Sequence, residues 1–440
     1  MFSKLTRNIS KDVVNTGMVN LTRMFTGFLT VLLIPIFLTE SIQGYWYSFG
    51  SISALSVLAD LGFTSIIVQF AAHEFAFLKK NPLGQFEGNE IHLQRLFSFF
   101  RYVLKRGCAL VIIAFPIIFV LGYFILNSDK SIPLNSWLFP WVIFVIFSGV
   151  YFLLNLLSAF FEGCGFIAVI QKLRYICNLI TFGVTCLCLY LGMNLYALAL
   201  GISLGSILLG IQLWYNYKTP VKQFFRELKI TVNWNPEILH LLFRYALSFI
   251  GGVLIFQLFV PIAFKFYGPA FAGRVGITIT LMMAVFQVSN IWIYVSIPKL
   301  NMLVSEKKTK ELFPYFKKNL LLSLITFIVL GTISIILLSL LPDRYSSRFL
   351  PMRITMLLLF VWFLQLIINS IATFSRAHKV EKFVYPSLVT GIYIAITTML
   401  IAIYLPSNYF FLGFFTSYIF AFPWFYYIFS KHKNAIEKNS

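Results

Sequence analysis

The sequence predicts an all-α polytopic membrane protein of about twelve transmembrane helices in two six-helix lobes. Of its 440 residues, 59% are apolar and only 11% are Asp, Glu, Lys or Arg, whereas soluble domains contain about 45–50% apolar and about 25% charged residues. The apolar residues form runs of about 20, the length at which a helix crosses a bilayer. Such an excess of apolar side chains needs lipid around it rather than water.

Twelve apolar runs are long enough to span a membrane. In the first half of the chain they cover residues 13–38, 44–75, 107–126, 137–161, 167–191 and 193–217. In the second half they cover residues 238–263, 271–297, 319–341, 354–375, 383–405 and 408–429. The first run exceeds the apolar region of a cleavable signal peptide, which has about 7–15 residues. We therefore expect it to be a retained helix.

The basic residues predict the orientation of these spans. With the N-terminus inside, 28 of the 35 Lys and Arg residues lie in connections on the inner side, six lie on the outer side, and Arg23 alone lies within a span. Cytoplasmic loops are enriched in Lys and Arg, so both termini are predicted to be cytoplasmic. The net charge of +20 then reflects orientation and attraction to anionic headgroups, and no nucleic-acid partner is predicted.

The connections predict the domain organisation. Residues 1–217 form an N-terminal six-helix lobe, 218–236 a basic cytoplasmic linker, 237–430 a C-terminal six-helix lobe and 431–440 a cytoplasmic tail. Halves with an even number of spans insert in the same orientation, as parallel repeats do. The short outer connections leave no room for an extracytoplasmic domain.

The sequence lacks the motifs of soluble enzymes and of metal sites. It has no P-loop, and His73-Glu74 lacks the second histidine of a zinc-protease motif. Its five cysteines lie in or beside apolar runs without metal-ligand spacing, so neither a disulfide scaffold nor a metal site is predicted. These absences favour a transporter over an enzyme.

Polar residues in the first span form one helix face. Thr16, Asn20, Arg23, Gly27 and Thr30 recur at helical spacing, and a charge at this depth costs at least about 2.5–3.5 kcal/mol on insertion scales. Two interpretations stay open for Arg23. It extends to the inner interface or pairs with an acid, or it lines a water-filled cavity and contacts an anionic substrate.

Three other charged residues also have two possible roles each. Asp60 is the carboxylate deepest in a span; it is either a counter-ion for Arg23 or a carrier of H⁺ or Na⁺. Lys265 and Arg274 flank the predicted outer connection between spans seven and eight, where they either attract an anion or lie among headgroups.

Further spans carry polar stripes that are explained either by hydrogen bonds between helices or by a shared polar interior. They comprise Ser53, Ser56, Asp60 and Thr64; Ser148, Tyr151, Asn155, Ser158 and Glu162; Arg174, Asn178, Thr181 and Thr185; Thr280, Gln287, Asn290 and Tyr294; and Gln365, Asn369 and Arg376. Gly201 and Gly205, spaced as GxxxG, predict close helix packing.

Several short motifs resemble one transporter family. They are Leu32-Leu33-Ile34-Pro35, Gly44-Tyr45-Trp46, Ala59-Asp60-Leu61-Gly62-Phe63 and Ile297-Pro298. With the six-plus-six topology over the whole chain, they resemble the polysaccharide-exporter branch of the multidrug/oligosaccharidyl-lipid/polysaccharide (MOP) exporter superfamily, and within it the Wzx-type O-antigen flippases. The resemblance implies a fold like that of the multidrug and toxic compound extrusion (MATE) transporters.

The resemblance also implies a function. Such a protein moves undecaprenyl-diphosphate-linked oligosaccharide from the cytoplasmic to the periplasmic leaflet of the bacterial inner membrane. Arg23, Asn20, Gln287, Asn290, Arg274 and Lys265 are the candidate substrate-binding residues. No cofactor is implied, although an H⁺ or Na⁺ gradient is a candidate driving force, and the partners would be membrane lipids, a polysaccharide polymerase and a chain-length regulator.

Two other functions remain in view. An ion-coupled drug or metabolite antiporter of the same superfamily is the alternative, although one for cationic substrates should contain more buried acids than this sequence does. A membrane-embedded polysaccharide polymerase or glycosyltransferase is a weaker hypothesis, because its catalytic groups would need a sizeable outer loop.

Overall fold

The computed structural model describes the backbone of residues 2–225, 232–306, 308–378 and 382–438. Side chains are described for the same residues except 2–14, 16, 20, 23, 24, 244, 245, 248, 437 and 438. Nearly all of this chain is helical, which confirms the predicted all-α membrane fold. The five cysteines are free thiols.

The first half contains eight helices and one hairpin. The helices are α1 (Phe2–Phe37), α2 (Glu40–Ser53), α3 (Val57–Asp60), α4 (Phe63–Phe75), α5 (Glu90–Leu126), α6 (Leu134–Gly163), α7 (Ile167–Tyr190) and α8 (Tyr196–Phe224). A 3₁₀ turn, Ala54–Ser56, joins α2 to α3, and strands β1 (Leu78–Lys80) and β2 (Phe86–Gly88) pair antiparallel between α4 and α5.

The second half is helical throughout its described residues. Its helices are α9 (Asn235–Phe256), α10 (Phe259–Ser305), α11 (Thr309–Leu340), α12 (Asp343–Ser346), α13 (Met352–Ala377), α14 (Val384–Tyr404) and α15 (Leu412–Lys438), with a 3₁₀ turn at Ser407–Tyr409. All twelve predicted spans fall on these helices.

Nine helices in the described chain are long and apolar enough to cross a membrane, or ten if one bent pair is a single span. The count is below twelve partly because Phe249–Ser305 is taken as one stretch and Phe25–Phe37 is short. The stretch Phe249–Ser305 holds two predicted spans, and Gly268 within it has a non-helical backbone (φ 84°, ψ 173°).

The second predicted span is bent rather than straight. The helix axis turns by 45° between Asp60 and Phe63, where Leu61 and Gly62 both adopt left-handed backbone angles (φ 43° and 87°). Left-handed geometry interrupts an α-helix because it breaks the run of i to i−4 hydrogen bonds. A second interruption follows α9, where residues 257 and 258 are not helical.

By their contacts the residues form two compact units. Unit 1 comprises Met1–Thr26 and Phe49–Phe249, and unit 2 comprises Gly27–Ser48 and Ile250–Ser440. Residues Gly27–Ser48 therefore group with the second half of the chain, whereas the predicted division assigned them to the N-terminal lobe. Residues 237–249 likewise group with unit 1, whereas the predicted division placed them in the C-terminal lobe. The two six-helix lobes stay a prediction.

Unit 1 has an aromatic core near the hairpin. Phe86 of β2 is 1% exposed and packs edge-on against Phe75 with ring centroids 5.0 Å apart. Its ring also stacks on Phe166 at 6.0 Å. Phe224, at the end of α8, contacts Phe86 and Phe100. Buried aromatic rings of this kind supply much of a core's apolar area, so they fix the hairpin to the helices.

Unit 2 brings the start of α2 against the start of the second part of α10. Gly44 lies so close to the backbone of Pro269 that a Cβ placed on it would be 2.5 Å from the Pro269 carbonyl carbon. A Cβ on Gly273 would lie 3.0 Å from the Gly44 nitrogen. A side chain at Gly276 would meet the ring of Tyr47. The three glycines therefore permit an approach of helices that larger residues would prevent.

Candidate functional site

The predicted substrate-binding face of α1 lies mostly outside the described side chains. The backbone of Asn20 and Arg23 is helical within α1, but their side chains are outside the described part of the structure. One neighbouring contact is described: Asn15 Nδ2 donates to the carbonyl oxygen of Ala168 at 2.9 Å. This bond attaches the first part of α1 to the start of α7, within unit 1.

Asp60 lies at the bend between α3 and α4. Its Oδ1 accepts a hydrogen bond from the backbone N–H of Thr64 at 3.0 Å and another from the Thr64 hydroxyl at 2.6 Å. A carboxylate in this position satisfies a free N–H in the first turn of α4 and interacts favourably with the positive end of that helix. The structure thus gives Asp60 a helix-capping role that the sequence did not predict.

Two substitutions at Asp60 separate capping from ion coupling. We expect Asp60→Ala to lower the free energy of unfolding by about 1 kcal/mol, the usual cost of losing a cap. Asp60→Asn keeps an acceptor oxygen and should unfold close to the wild-type temperature in detergent. If Asp60 also carries a coupling ion, Asp60→Asn will abolish transport in spite of its stability; if the residue only caps α4, transport will persist. If Asp60 is the counter-ion of Arg23, Asp60→Asn will also lower the stability, because it leaves the arginine unpaired.

An ion pair joins α6 to α7 in unit 1. Arg174 Nη1 lies 2.5 Å from Glu162 Oε1, and Gln171 Nε2 donates to the same oxygen at 2.8 Å. The side chains of Arg174 and Glu162 are only 12% and 13% exposed. Arg174 Nε and, one turn later, Asn178 Nδ2 are buried without a hydrogen-bond partner. Both donors are therefore available to water or to an acceptor on a ligand.

The rest of the stripe on α7 serves helix packing. The hydroxyl groups of Thr181 and Thr185 lie against Gly205 and Gly201 of α8, and Thr185 Oγ1 donates to the Thr181 carbonyl oxygen at 2.8 Å. The GxxxG pair therefore makes the close contact that its spacing predicts.

In unit 2, Arg274 pairs with an acid that the sequence analysis did not single out. Its Nη2 lies 3.3 Å from Glu40 Oε2, and both side chains are just over one third exposed. Beside this pair, Gln43 Nε2 donates to the carbonyl oxygens of Gly273 and Arg348 at 3.0 and 3.2 Å. Pairing with Glu40 reduces the attraction that Arg274 can exert on an anion, while its Nε has no partner.

Arg274 borders a cavity of about 570 Å³ within unit 2, which is lined by both apolar and polar side chains. Hydroxyl and carboxylate side chains contribute to its lining, namely those of Ser339, Asp343, Ser346, Ser347 and Thr355. The cavity offers hydrogen-bond donors and acceptors but balanced charge, so it suits a polar group such as a sugar better than a strong anion.

The other candidates on α10 differ in exposure. Asn290 is fully buried, and neither its amide nitrogen nor its oxygen has a hydrogen-bond partner, which is costly unless water or a ligand supplies one. Gln287 and Lys265 are exposed. The structure does not gather these three residues and Arg274 into one described site.

A buried charged cluster at the end of α4 was missed in the sequence. Glu74 is 2% exposed, with His92 Nδ1 and Arg95 Nε each 2.8 Å from its carboxylate oxygens. The Arg95 guanidinium also lies 4.9 Å from the centre of the Trp234 ring. Glu74 and the two α5 residues are about 20 positions apart, which no helical repeat connects, so only the folded chain shows the cluster.

No group of three or more His, Cys, Asp or Glu residues that could hold a metal ion occurs in the described residues. The two acids within the predicted spans are engaged by neighbours, Asp60 by Thr64 and Glu74 by His92 and Arg95. Two acids beside the spans are engaged as well, Glu40 by Arg274 and Glu162 by Arg174.

The comparisons with known proteins show the fold. No protein-family model and no curated protein matches the chain. Among solved structures, the MATE multidrug transporter DinF-BH, solved in complex with a ligand, has a TM-score of 0.62 at 11% identity, covering 97% of this chain and 96% of that one. An inward-facing multidrug resistance MATE transporter of the MOP superfamily scores 0.53 at 12% identity, covering 94% and 99%. The eukaryotic MATE transporter AtDTX14 scores 0.53 at 11% identity, covering 100% and 99%. The chain therefore has the fold of MATE transporters.

Proposed function

We propose that this protein is a membrane exporter that works by alternating access. Its fold supports this proposal, because the solved structures that share the fold over almost their whole length are transporters. Polar groups without a partner, such as Asn290 and Arg174 Nε, supply hydrogen-bonding groups within the predicted spans, where such groups are costly unless a ligand or water binds them.

The cargo that we favour is anionic, an oligosaccharide linked to undecaprenyl diphosphate. The observation that carries this choice is the engagement of the two acids that lie within the predicted spans. Asp60 is bonded to Thr64, and Glu74 is bonded to His92 and Arg95, so neither carboxylate is left for a cationic drug. Arg can hold phosphate oxygens through two hydrogen bonds, and the sequence motifs resemble O-antigen flippases.

In this proposal the substrate-binding residues are Arg23, Asn20, Gln287, Asn290, Arg274 and Lys265. Arg23 would hold the diphosphate. Arg274 would bind the sugar, because it is already paired with Glu40 and borders hydroxyl groups that suit a sugar. Asp60 would be a counter-ion or the site of H⁺ or Na⁺ coupling.

A second candidate is ion-coupled antiport of drugs or metabolites. The structural neighbours favour it, because two of them are multidrug transporters and one of these was solved with a ligand bound. The comparisons thus fit this candidate better than the flippase, whereas the sequence motifs and the engaged acids favour the flippase.

Complementation in cells tests the choice of cargo. The protein is expressed in a strain that lacks its own O-antigen flippase, and surface polysaccharide is measured beside resistance to cationic dyes. We expect polysaccharide on the surface and no gain in resistance. Arg23→Ala should reduce the polysaccharide about tenfold or more at equal protein level, since a hydrogen bond to a charged group contributes about 1.5–3 kcal/mol.

Lys130→Ala is the control. Lys130 is exposed in a loop, where its Nζ donates to Asn127 Oδ1, so the variant should leave the polysaccharide unchanged. Dye resistance without polysaccharide would instead support the antiporter. Full polysaccharide with Arg23→Ala would remove the proposed role of Arg23.

A further inference from the structure

The hairpin between α4 and α5 is held rigidly in unit 1. The backbone N–H of Phe86 donates to Gln223 Oε1 at 2.8 Å, and Gln223 Nε2 donates to the Phe86 carbonyl oxygen at 2.9 Å. The Gln223 side chain thus bonds to β2 as a neighbouring strand would. At the turn, Asn81 Oδ1 accepts from the backbone N–H of Gln85 at 2.9 Å. These bonds fix the turn at residues 81–84 relative to α8.

Contacts of the hairpin with Tyr217 and Thr219 show which part of α8 lies beside the turn. Lys80 Nζ lies 5.4 and 5.6 Å from the ring centres of Phe166 and Tyr217, and Gly84 lies beside the Thr219 side chain. Tyr217 is the last residue of the predicted span 193–217, and a helix rises 1.5 Å per residue. Thr219 lies about 3 Å further along α8 than the predicted end of the span, so we expect the turn beside it at the depth of lipid headgroups.

The hairpin and the neighbouring end of α8 expose apolar and basic side chains. Leu83 at the tip of the hairpin is 78% exposed, and Phe77 at its base is 53% exposed. The Lys79 side chain is 78% exposed, and Lys222 on α8 is exposed as well. The strands contain one acid, Glu87, whose Oε1 lies 3.9 Å from Lys79 Nζ. An apolar tip beside an excess of lysine complements an anionic lipid surface.

We propose that residues 81–84 dock into the leaflet that the Lys and Arg distribution predicts to be cytoplasmic. Leu83 inserts between lipid headgroups, while Lys79 and Lys222 bind the phosphates of anionic phospholipids. The docked turn then anchors the end of α8 to that leaflet. This inference does not depend on the cargo of the proposed exporter.

Hydrogen exchange in nanodiscs tests the docking. The full-length protein is reconstituted in discs of phosphatidylcholine alone or mixed with phosphatidylglycerol, and amide exchange in residues 78–88 is measured by mass spectrometry. We expect exchange to be about fivefold slower in the anionic discs. This is the preference that one positive charge near such a surface confers, and one is the net charge of Lys79, Lys222 and Glu87. The difference should shrink as salt is added.

Variants identify the groups responsible. Lys79→Gln/Lys222→Gln should abolish the difference between the two discs, and Leu83→Ser should speed exchange in both. Lys310→Gln/Lys317→Gln, which removes two exposed lysines from α11, is the control for net charge and should behave as wild type. Circular dichroism verifies that each variant is folded.

Three results would overturn the proposal. Equal exchange rates in the two discs would show that anionic lipid does not bind the turn. Slow exchange that survives in Lys79→Gln/Lys222→Gln would assign the effect to another surface. Protection by inorganic phosphate in detergent, without lipid, would identify a soluble anion as the ligand.

Discussion

Glu162→Leu is expected to destabilise the protein by about 3 kcal/mol, the cost of removing one partner from a largely buried ion pair. Arg174 would keep its charge at a position where only 12% of its side chain is exposed. It would also lose the carboxylate oxygen 2.5 Å from its Nη1. The loss should appear as a lower midpoint of thermal unfolding in detergent, which is measured by size-exclusion chromatography of heated samples.

The double variant Glu162→Leu/Arg174→Met isolates the charge effect. Replacing both partners by apolar residues of similar volume removes the uncompensated charge, and such replacements are often neutral or stabilising. We therefore expect the double variant to recover most of the lost stability. A double variant less stable than Glu162→Leu would show that the two side chains act independently.

Gly44→Ala is expected to cost about 1–3 kcal/mol, the range for a methyl group forced into packed surroundings. Its Cβ would lie 2.5 Å from the carbonyl carbon and 2.7 Å from the Cα of Pro269. Both are backbone atoms, so α2 and α10 would have to separate. The neighbouring contact of Tyr47 with Gly276 would loosen with them.

Gly50→Ala is the matched control, the same substitution in the same helix. No heavy atom lies within 4 Å of the Cβ that it would add, and alanine favours a helix over glycine by up to about 1 kcal/mol. We expect Gly50→Ala to unfold at or above the wild-type temperature and Gly44→Ala well below it. Equal unfolding temperatures for the two variants would contradict the close packing of α2 on α10.

The membrane spans could be predicted from the sequence because hydropathy is a local property. Each apolar run needs only about 20 neighbouring residues to be recognised, and all twelve predicted spans fall on helices. Helix ends that lie outside the apolar runs were harder to predict from the sequence. Helix α5 begins at Glu90, well before the predicted span at 107, although Asn89 followed by Glu90 is a recognisable N-terminal signal; the Asn89 side chain caps the helix.

The bend and the hairpin depend on the folded chain. Leu61 adopts a left-handed backbone although it is not glycine. Gly62 is a local signal for the end of a helix, but a single glycine within an apolar run does not show that the helix bends there. Likewise, β2 is held by Gln223, which is 137 positions away from Phe86. Local patterns contain no information on contacts over such separations.

The pairing of candidate site residues was the least predictable feature. Glu162 and Arg174 both belong to polar stripes that the sequence shows, but their contact requires the packing of α6 on α7. Glu40 and Arg274 are 234 positions apart. The sequence could therefore list polar residues at membrane depth, while the structure decides which of their charges are already compensated.

Transport of the lipid-linked cargo in proteoliposomes tests the central claim most directly. The purified protein is reconstituted with undecaprenyl-diphosphate-linked oligosaccharide, and the fraction accessible to an added glycosidase outside the vesicles is followed over time. We predict that the protein raises this fraction above that of vesicles containing Arg23→Ala, with no uptake of a cationic dye driven by H⁺ or Na⁺. Dye transport with no movement of the oligosaccharide would contradict the flippase and establish the antiporter.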